Sequence, residues 1–243
     1  MHTRTRTAVF ALACSAALAA CGDRHPVDTA PVGIAGQGQA AATAPSSPFV
    51  ARPAIDAVTV HALGVDTPLK TVHFQDKDGE GLLVLARKDS QSDGTESDAA
   101  LDVVLLTATL YQRGTPDASF TPRWHSEYRT ECEGLDLEAG YFLDHVQATD
   151  LDGDGVAELT LPSHAFCGGG VDPHQIVIEL RRGDDRYRVE GESLVVIEGE
   201  APFGGERADS PSYAAAPAVF RQHLDTVWQA VHTLPGRESD GGP

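Results

Sequence analysis

The sequence predicts a mainly β protein: an antiparallel β meander or sandwich, or a partial-propeller-like sheet, with one C-terminal α-helix. Three observations predict it. Short runs rich in Val, Leu, Ile, Thr and Tyr alternate with Gly, Asp and Pro turns. The connections between runs are short, which favours antiparallel neighbours over βαβ units. Near the end, one segment carries apolar residues at helical spacing.

The expected strands are 58–63, 71–75, 81–87, 101–112, 123–131, 140–148, 156–161, 175–182 and 193–198. In the last segment Phe220, Leu224, Val227, Trp228, Val231 and Leu234 fall on one helical face. Pro217 fits the first turn of that helix, and Pro235-Gly236 stops it. Such a stripe packs on a sheet as ordinary core. Residues 91–100 read as a polar, acidic loop.

The N-terminus carries a secretory signal over residues 1–20. Arg4 and Arg6 make a basic start, and residues 8–20 are apolar but too short to span a bilayer. The segment ends Leu18-Ala19-Ala20-Cys21, which resembles the bacterial lipobox. That resemblance implies cleavage before Cys21 and lipidation of its thiol and new amine. Several acyl chains would hold the protein on a membrane without a spanning helix. The alternative is ordinary secretion with a cut nearby. Gly22 stands where an aspartate would retain a lipoprotein at the inner membrane, which points to the outer membrane; Asp23 points the other way. The expected location is the bacterial cell envelope, lipid-anchored at the outer membrane, on its periplasmic or surface face.

Residues 21–52 are rich in Ala, Gly, Pro, Ser and Thr and read as a flexible tether. Residues 53–235 are long enough for one domain with a proper core, and 236–243 read as a disordered tail.

The chain has 18 basic and 36 acidic residues, and removal of Arg4 and Arg6 leaves 16 − 36 = −20. That charge repels nucleic acid and anionic lipid headgroups and attracts cations. It also serves solubility alone.

Of four cysteines, Cys14 leaves with the signal and Cys21 takes the lipid. Cys132 and Cys167 remain, and in an oxidising compartment such a pair is expected as a disulfide. The alternative is a zinc set of His164, Cys167 and His174, at a spacing that matches no strong zinc pattern.

The densest chemical signal is Asp150-Leu151-Asp152-Gly153-Asp154-Gly155-Val156-Ala157-Glu158. Carboxylates fall at positions 1, 3, 5 and 9, and Val156 holds position 7, where a backbone carbonyl serves as ligand. Ca²⁺ takes six to eight hard oxygens, which such alternation supplies with water. Gly153 and Gly155 permit the left-handed dihedrals of a tight wrap. Position 12 is Leu161 and the flanks read as strands, so the loop is not an EF-hand. The competing reading is an acidic hairpin turn with no metal. The strand–loop–strand setting resembles the calcium loops of FG-GAP and related β-propeller repeats. A fainter echo, Asp76-Lys77-Asp78-Gly79-Glu80, precedes another apolar run but has Val84 at position 9, and reads as a polar turn.

Trp124, Cys132, Asp136, the 149–158 loop, Cys167 and Val171-Asp172-Pro173 together resemble a small bacterial family catalogued as surface polysaccharide biosynthesis proteins. The resemblance covers about residues 124–191 and implies the aspartate-rich loop and the flanking cysteine pair rather than a chemistry. In that family the turn after the second cysteine is Asp-Val-Ser-Pro-like. Here it reads Gly170-Val171-Asp172-Pro173.

No Gly-x-Ser-x-Gly, His-Glu-x-x-His or phosphate loop is present. The eight histidines of the expected 53–235 domain, His61, His73, His125, His145, His164, His174, His223 and His232, are scattered, with no recognisable nucleophile beside them. His145 and His164 flank the acidic loop and are expected to face each other across a hairpin. Asp144, His145 and Asp150 offer a hydrolytic constellation. The expectation is therefore a lipid-anchored envelope protein with a structural Ca²⁺ and a disulfide. Its role is non-catalytic binding or scaffolding towards polysaccharide or an envelope protein. The alternative is an envelope hydrolase or carbohydrate-active enzyme using carboxylates such as Asp144 and Asp172.

Overall fold

The structure is a computed structural model and describes residues 49–92 and 100–233. The signal, Cys21, the tether up to residue 48, residues 93–99, Leu234, Pro235-Gly236 and the tail lie outside the described residues.

The first sheet is a meander. It contains β1 (Val50–Ala51), β2 (Lys70–Asp76), β3 (Gly79–Gln91), β4 (Asp102–Arg113) and β5 (Thr121–Cys132), in that order, all antiparallel. A short helix α1 (Ala57–Ala62) lies between β1 and β2 in sequence. The second sheet follows: β6 (Asp136–Tyr141), β7 (Gln147–Thr149), β8 (Glu158–Gly168), β9 (Gln175–Arg182) and β10 (Asp185–Glu192). A ribbon of β11 (Leu194–Val195) and β12 (Phe203–Gly204) stands apart, and β13 (Arg207–Asp209) returns to pair with β10. The second sheet runs β13-β10-β9-β8-β6, with β7 also on β8. Helices α2 (Pro211–Ala215) and α3 (Ala218–Val231) end the described chain.

The side-chain period of two sorts residues into layers. On β3, Leu83 and Leu85 enter the core shared with Leu159 and Leu161 of β8, so that core lies between the sheets. Leu82 and Val84 point the other way, onto Val60 of α1. On β9, Ile176, Ile178 and Leu180 turn away from the first sheet and meet Phe220, Leu224, Val227, Trp228 and Val231 of α3. The layers are therefore helix, sheet, sheet, helix. Burying each large apolar side chain of α3 contributes about 1.5–3 kcal/mol. Gly191 on β10 leaves room for that helix, because a Cβ there would sit 2.5 Å from the Trp228 ring. Cys132 at the end of β5 and Cys167 on β8 form a disulfide with a Cα–Cα distance of 5.4 Å, which ties one sheet to the other.

The mainly antiparallel β architecture and the terminal helix agree with the sequence reading, and six local readings change. Residues 58–63 form helix α1, not a strand. Asp56 caps it, accepting from the Thr59 N–H at 2.8 Å, and Val58 is 79% exposed while Val60 is buried. Capping plus one buried position per turn outweighs the β propensity of Val and Thr. The run 140–148 is broken: β6 ends at Tyr141, a 3-10 turn spans Leu143–His145, and β7 is short. The break lies opposite Pro162, whose carbonyl accepts from Phe142 N–H at 3.0 Å and which has no N–H to offer on that side. Strand β8 starts at Glu158 and continues through Pro162 to Gly168, beyond the 156–161 expectation. The 193–198 strand shrinks to Leu194–Val195, and β10 was not expected because its exposed charges hide the alternation. Val50–Ala51 already pairs with β2, so regular structure begins inside the 21–52 tether assignment.

Candidate metal centre

The acidic loop joins β7 to β8, at the end of the second sheet. Gly153 and Gly155 take φ of 74° and 83°, the left-handed conformation the wrap requires. The carboxylates organise the loop's amides. Asp150 accepts from Gly155 N–H at 3.3 and 3.2 Å, Asp152 from Asp154 N–H at 3.2 Å, and Asp154 from Val156 N–H at 2.8 Å. Asp150, Asp152 and Asp154 bring one oxygen each to within 4.8 Å of one another.

Glu158 starts β8 and is fully buried. Its Oε2 accepts from Leu151 N–H at 2.6 Å, which holds it to the loop but outside the tight group of three. Its Oε1 makes no hydrogen bond and faces Arg182 Nε at 3.6 Å. Burial pushes the Glu158 carboxyl up to about 7; the Leu151 N–H opposes this, and the charges of Asp152 and Asp150 add to it. Val156 is buried, at 9% exposure.

The structure adds residues that the loop sequence does not contain. Arg182, paired with Glu158 across β8 and β9, contacts Asp154 Oδ2 and lies 3.8 Å from Asp152 Oδ2. Lys77 lies 3.7 Å from Asp154 Oδ2. With all four carboxylates ionised, these two cations leave a formal charge of 2 − 4 = −2. The faint echo at Asp76 proves to be a buttress. Lys77 N–H donates to the Gly155 carbonyl at 2.9 Å, and buried Asp76 accepts from Ala157 N–H at 3.1 Å. Burial raises the Asp76 carboxyl, against the Ala157 and Asp78 amides that lower it. Glu80 is committed elsewhere: Arg113 holds it at 2.8 and 2.7 Å and lowers its pKa, with His73 at 2.8 Å.

His164 does not face His145. It lies opposite Gly140 in the β6–β8 pairing, and His174 is the histidine beside it, with 3.3 Å between the Nδ1 atoms. His145 sits in the 3-10 turn with Asp144. Cys167 is in the disulfide, so the His164–Cys167–His174 zinc set does not form. Asp144 and Asp172 are exposed. Neither lines the cavity of about 320 Å³ bordered by β4, β5, β8 and β9, nor the one of about 50 Å³ beside Asp76 and Trp124. Comparison with protein-family models, curated proteins and solved structures returns no match.

Proposed function

We propose that this chain is a lipid-anchored cell-envelope protein whose domain is a Ca²⁺-stiffened, non-catalytic module for binding or scaffolding at surface polysaccharide. The observation that carries the metal is the convergence of Asp150, Asp152 and Asp154 beside the buried, unsatisfied Oε1 of Glu158. A buried carboxylate oxygen without a hydrogen bond is costly, and a hard dication offsets that cost. Asp150, Asp152, Asp154 and Glu158, with the Val156 carbonyl and water, would form the shell. The ion would fix the turn and with it the register of β7 on β8.

Extracellular calcium modules bind at about 10⁻⁴–10⁻³ M. A ligand at a hundredfold excess over Kd adds about 2.7 kcal/mol to stability. The melting temperature is therefore expected to climb in millimolar Ca²⁺, climb less in Mg²⁺, and fall with chelator. Asp152→Ala should remove most of this dependence and leave the disulfide intact. An unchanged melting temperature from chelator to millimolar Ca²⁺ would reduce the loop to an acidic turn.

The anchor is tested separately. Cys21→Ser is expected to move the protein from the membrane to the soluble fraction. Retention on membranes after a salt wash would show that lipid on Cys21 is not the anchor.

A further inference from the structure

We propose that Glu138, His164 and His174 form a second metal site, one that takes a transition-metal dication of the Zn²⁺ class. One donor atom from each residue lies within 4.8 Å of the other two. The set shares no ligand with the acidic loop.

Strand pairing builds it. Glu138 lies opposite Phe166, and Gly140 opposite His164, in the β6–β8 register. Residues 138, 140, 164 and 166 thus share one face of the sheet. His174 enters that face just ahead of β9. Its N–H donates to Ser193 Oγ at 2.9 Å, and its carbonyl accepts from Ser193 N–H at 2.8 Å. The rings are held as well as the backbone. Phe166 stacks on His174 with centroids 4.6 Å apart, and Phe142 packs on His164 at 5.0 Å. Opposite His164 the chain has glycine, and a Cβ on Gly140 would come within 3.1 Å of His164 Nε2.

The separation of the two Nδ1 atoms, 3.3 Å, is long for an N–H hydrogen bond. It matches two ligands on one tetrahedral ion. With Zn–N of about 2.0–2.1 Å, a tetrahedral angle sets N···N at roughly 3.3–3.4 Å. Two imidazoles and one carboxylate suit Zn²⁺ rather than Ca²⁺, which takes oxygen ligands. Three protein ligands leave a fourth position for water or a substrate atom.

The test uses untagged protein carrying Asp152→Ala, stripped with chelator, dialysed and titrated with Zn²⁺ alone. One equivalent is expected to bind, and Co²⁺ in its place should give the visible bands of tetrahedral coordination. Glu138→Gln, which keeps the size and one acceptor oxygen but removes the charge, should weaken Zn²⁺ at least tenfold. His174→Gln should abolish both binding and the Co²⁺ bands. A near-ultraviolet dichroism spectrum unchanged by Glu138→Gln separates loss of a ligand from loss of the fold. Absence of stoichiometric Zn²⁺ binding in the parent protein, or equal binding by parent and Glu138→Gln, would overturn the assignment.

Discussion

Glu179→Gln is expected to destabilise the domain by about 3–5 kcal/mol, although Glu179 belongs to neither candidate metal site. Glu179 and Arg181 sit on β9, on the face turned to the first sheet, and are 4% and 2% exposed. Arg181 Nε lies 2.7 Å from Glu179 Oε1, close but not aligned for a hydrogen bond. The guanidinium lies 3.9 Å from the centre of the Trp124 ring. Tyr128 shares the site: burial, then the Glu179 charge, pushes its hydroxyl up to about 12. Neutralising Glu179 leaves the Arg181 charge buried against neutral groups only, the amide of the new Gln, the Tyr128 hydroxyl and the Trp124 ring. In a domain of this size, 1 kcal/mol moves the melting temperature by about 2–4 °C, so a drop of roughly 6–20 °C follows. The double change Glu179→Leu with Arg181→Met should restore most of it, because the desolvation cost of both charges disappears together. A thermal melt followed by dichroism reads this. If Glu179→Gln melts with the wild type, the pair is not buried between the sheets.

The second large effect is at the disulfide. Cys132 and Cys167 are 35 residues apart, and the chain-entropy relation for a loop of that size gives about 4 kcal/mol. Because the bond joins β5 in one sheet to β8 in the other, its loss frees the sheets at that end. Cys132→Ala with Cys167→Ala should lower the urea midpoint and raise the slope, because the unfolded chain without the cross-link expands and exposes more surface. Unfolded, unreduced wild type should show neither Cys132 nor Cys167 as a free thiol. Equal urea midpoints for wild type and double variant would contradict the entropic role.

The parts of the fold legible in the sequence are those whose signal is local. The long strands β3, β4 and β9 announce themselves by apolar runs, and α3 by its stripe from Phe220 to Val231. Helix α1 is hidden in the sequence because Val58, Thr59 and Val60 favour strand, while the deciding group is one Asp56 carboxylate. Pro162 hid the second half of β8, since its missing N–H matters only on the side where β6 and β7 part. The candidate site divides the same way. Asp150, Asp152 and Asp154 are visible because they are neighbours in the chain. Arg182 and Asp76 reach the loop only through strand pairing and a docked hairpin, which no spacing rule encodes. Glu138, His164 and His174 come together only through the β6–β8 register and the turn into β9, and Cys167, the third member of the zinc set that the sequence offers, is in the disulfide.

The central claim is that the acidic loop binds calcium rather than resting on Arg182 and Lys77 alone. Equilibrium dialysis of the stripped protein against radioactive calcium tests it most directly, with Asp152→Ala as the comparison. One Ca²⁺ per chain is expected, with Kd of about 10⁻⁴–10⁻³ M, weaker competition from Mg²⁺, and loss of the site in Asp152→Ala. Wild type that takes up no more calcium than Asp152→Ala throughout the millimolar range would contradict it.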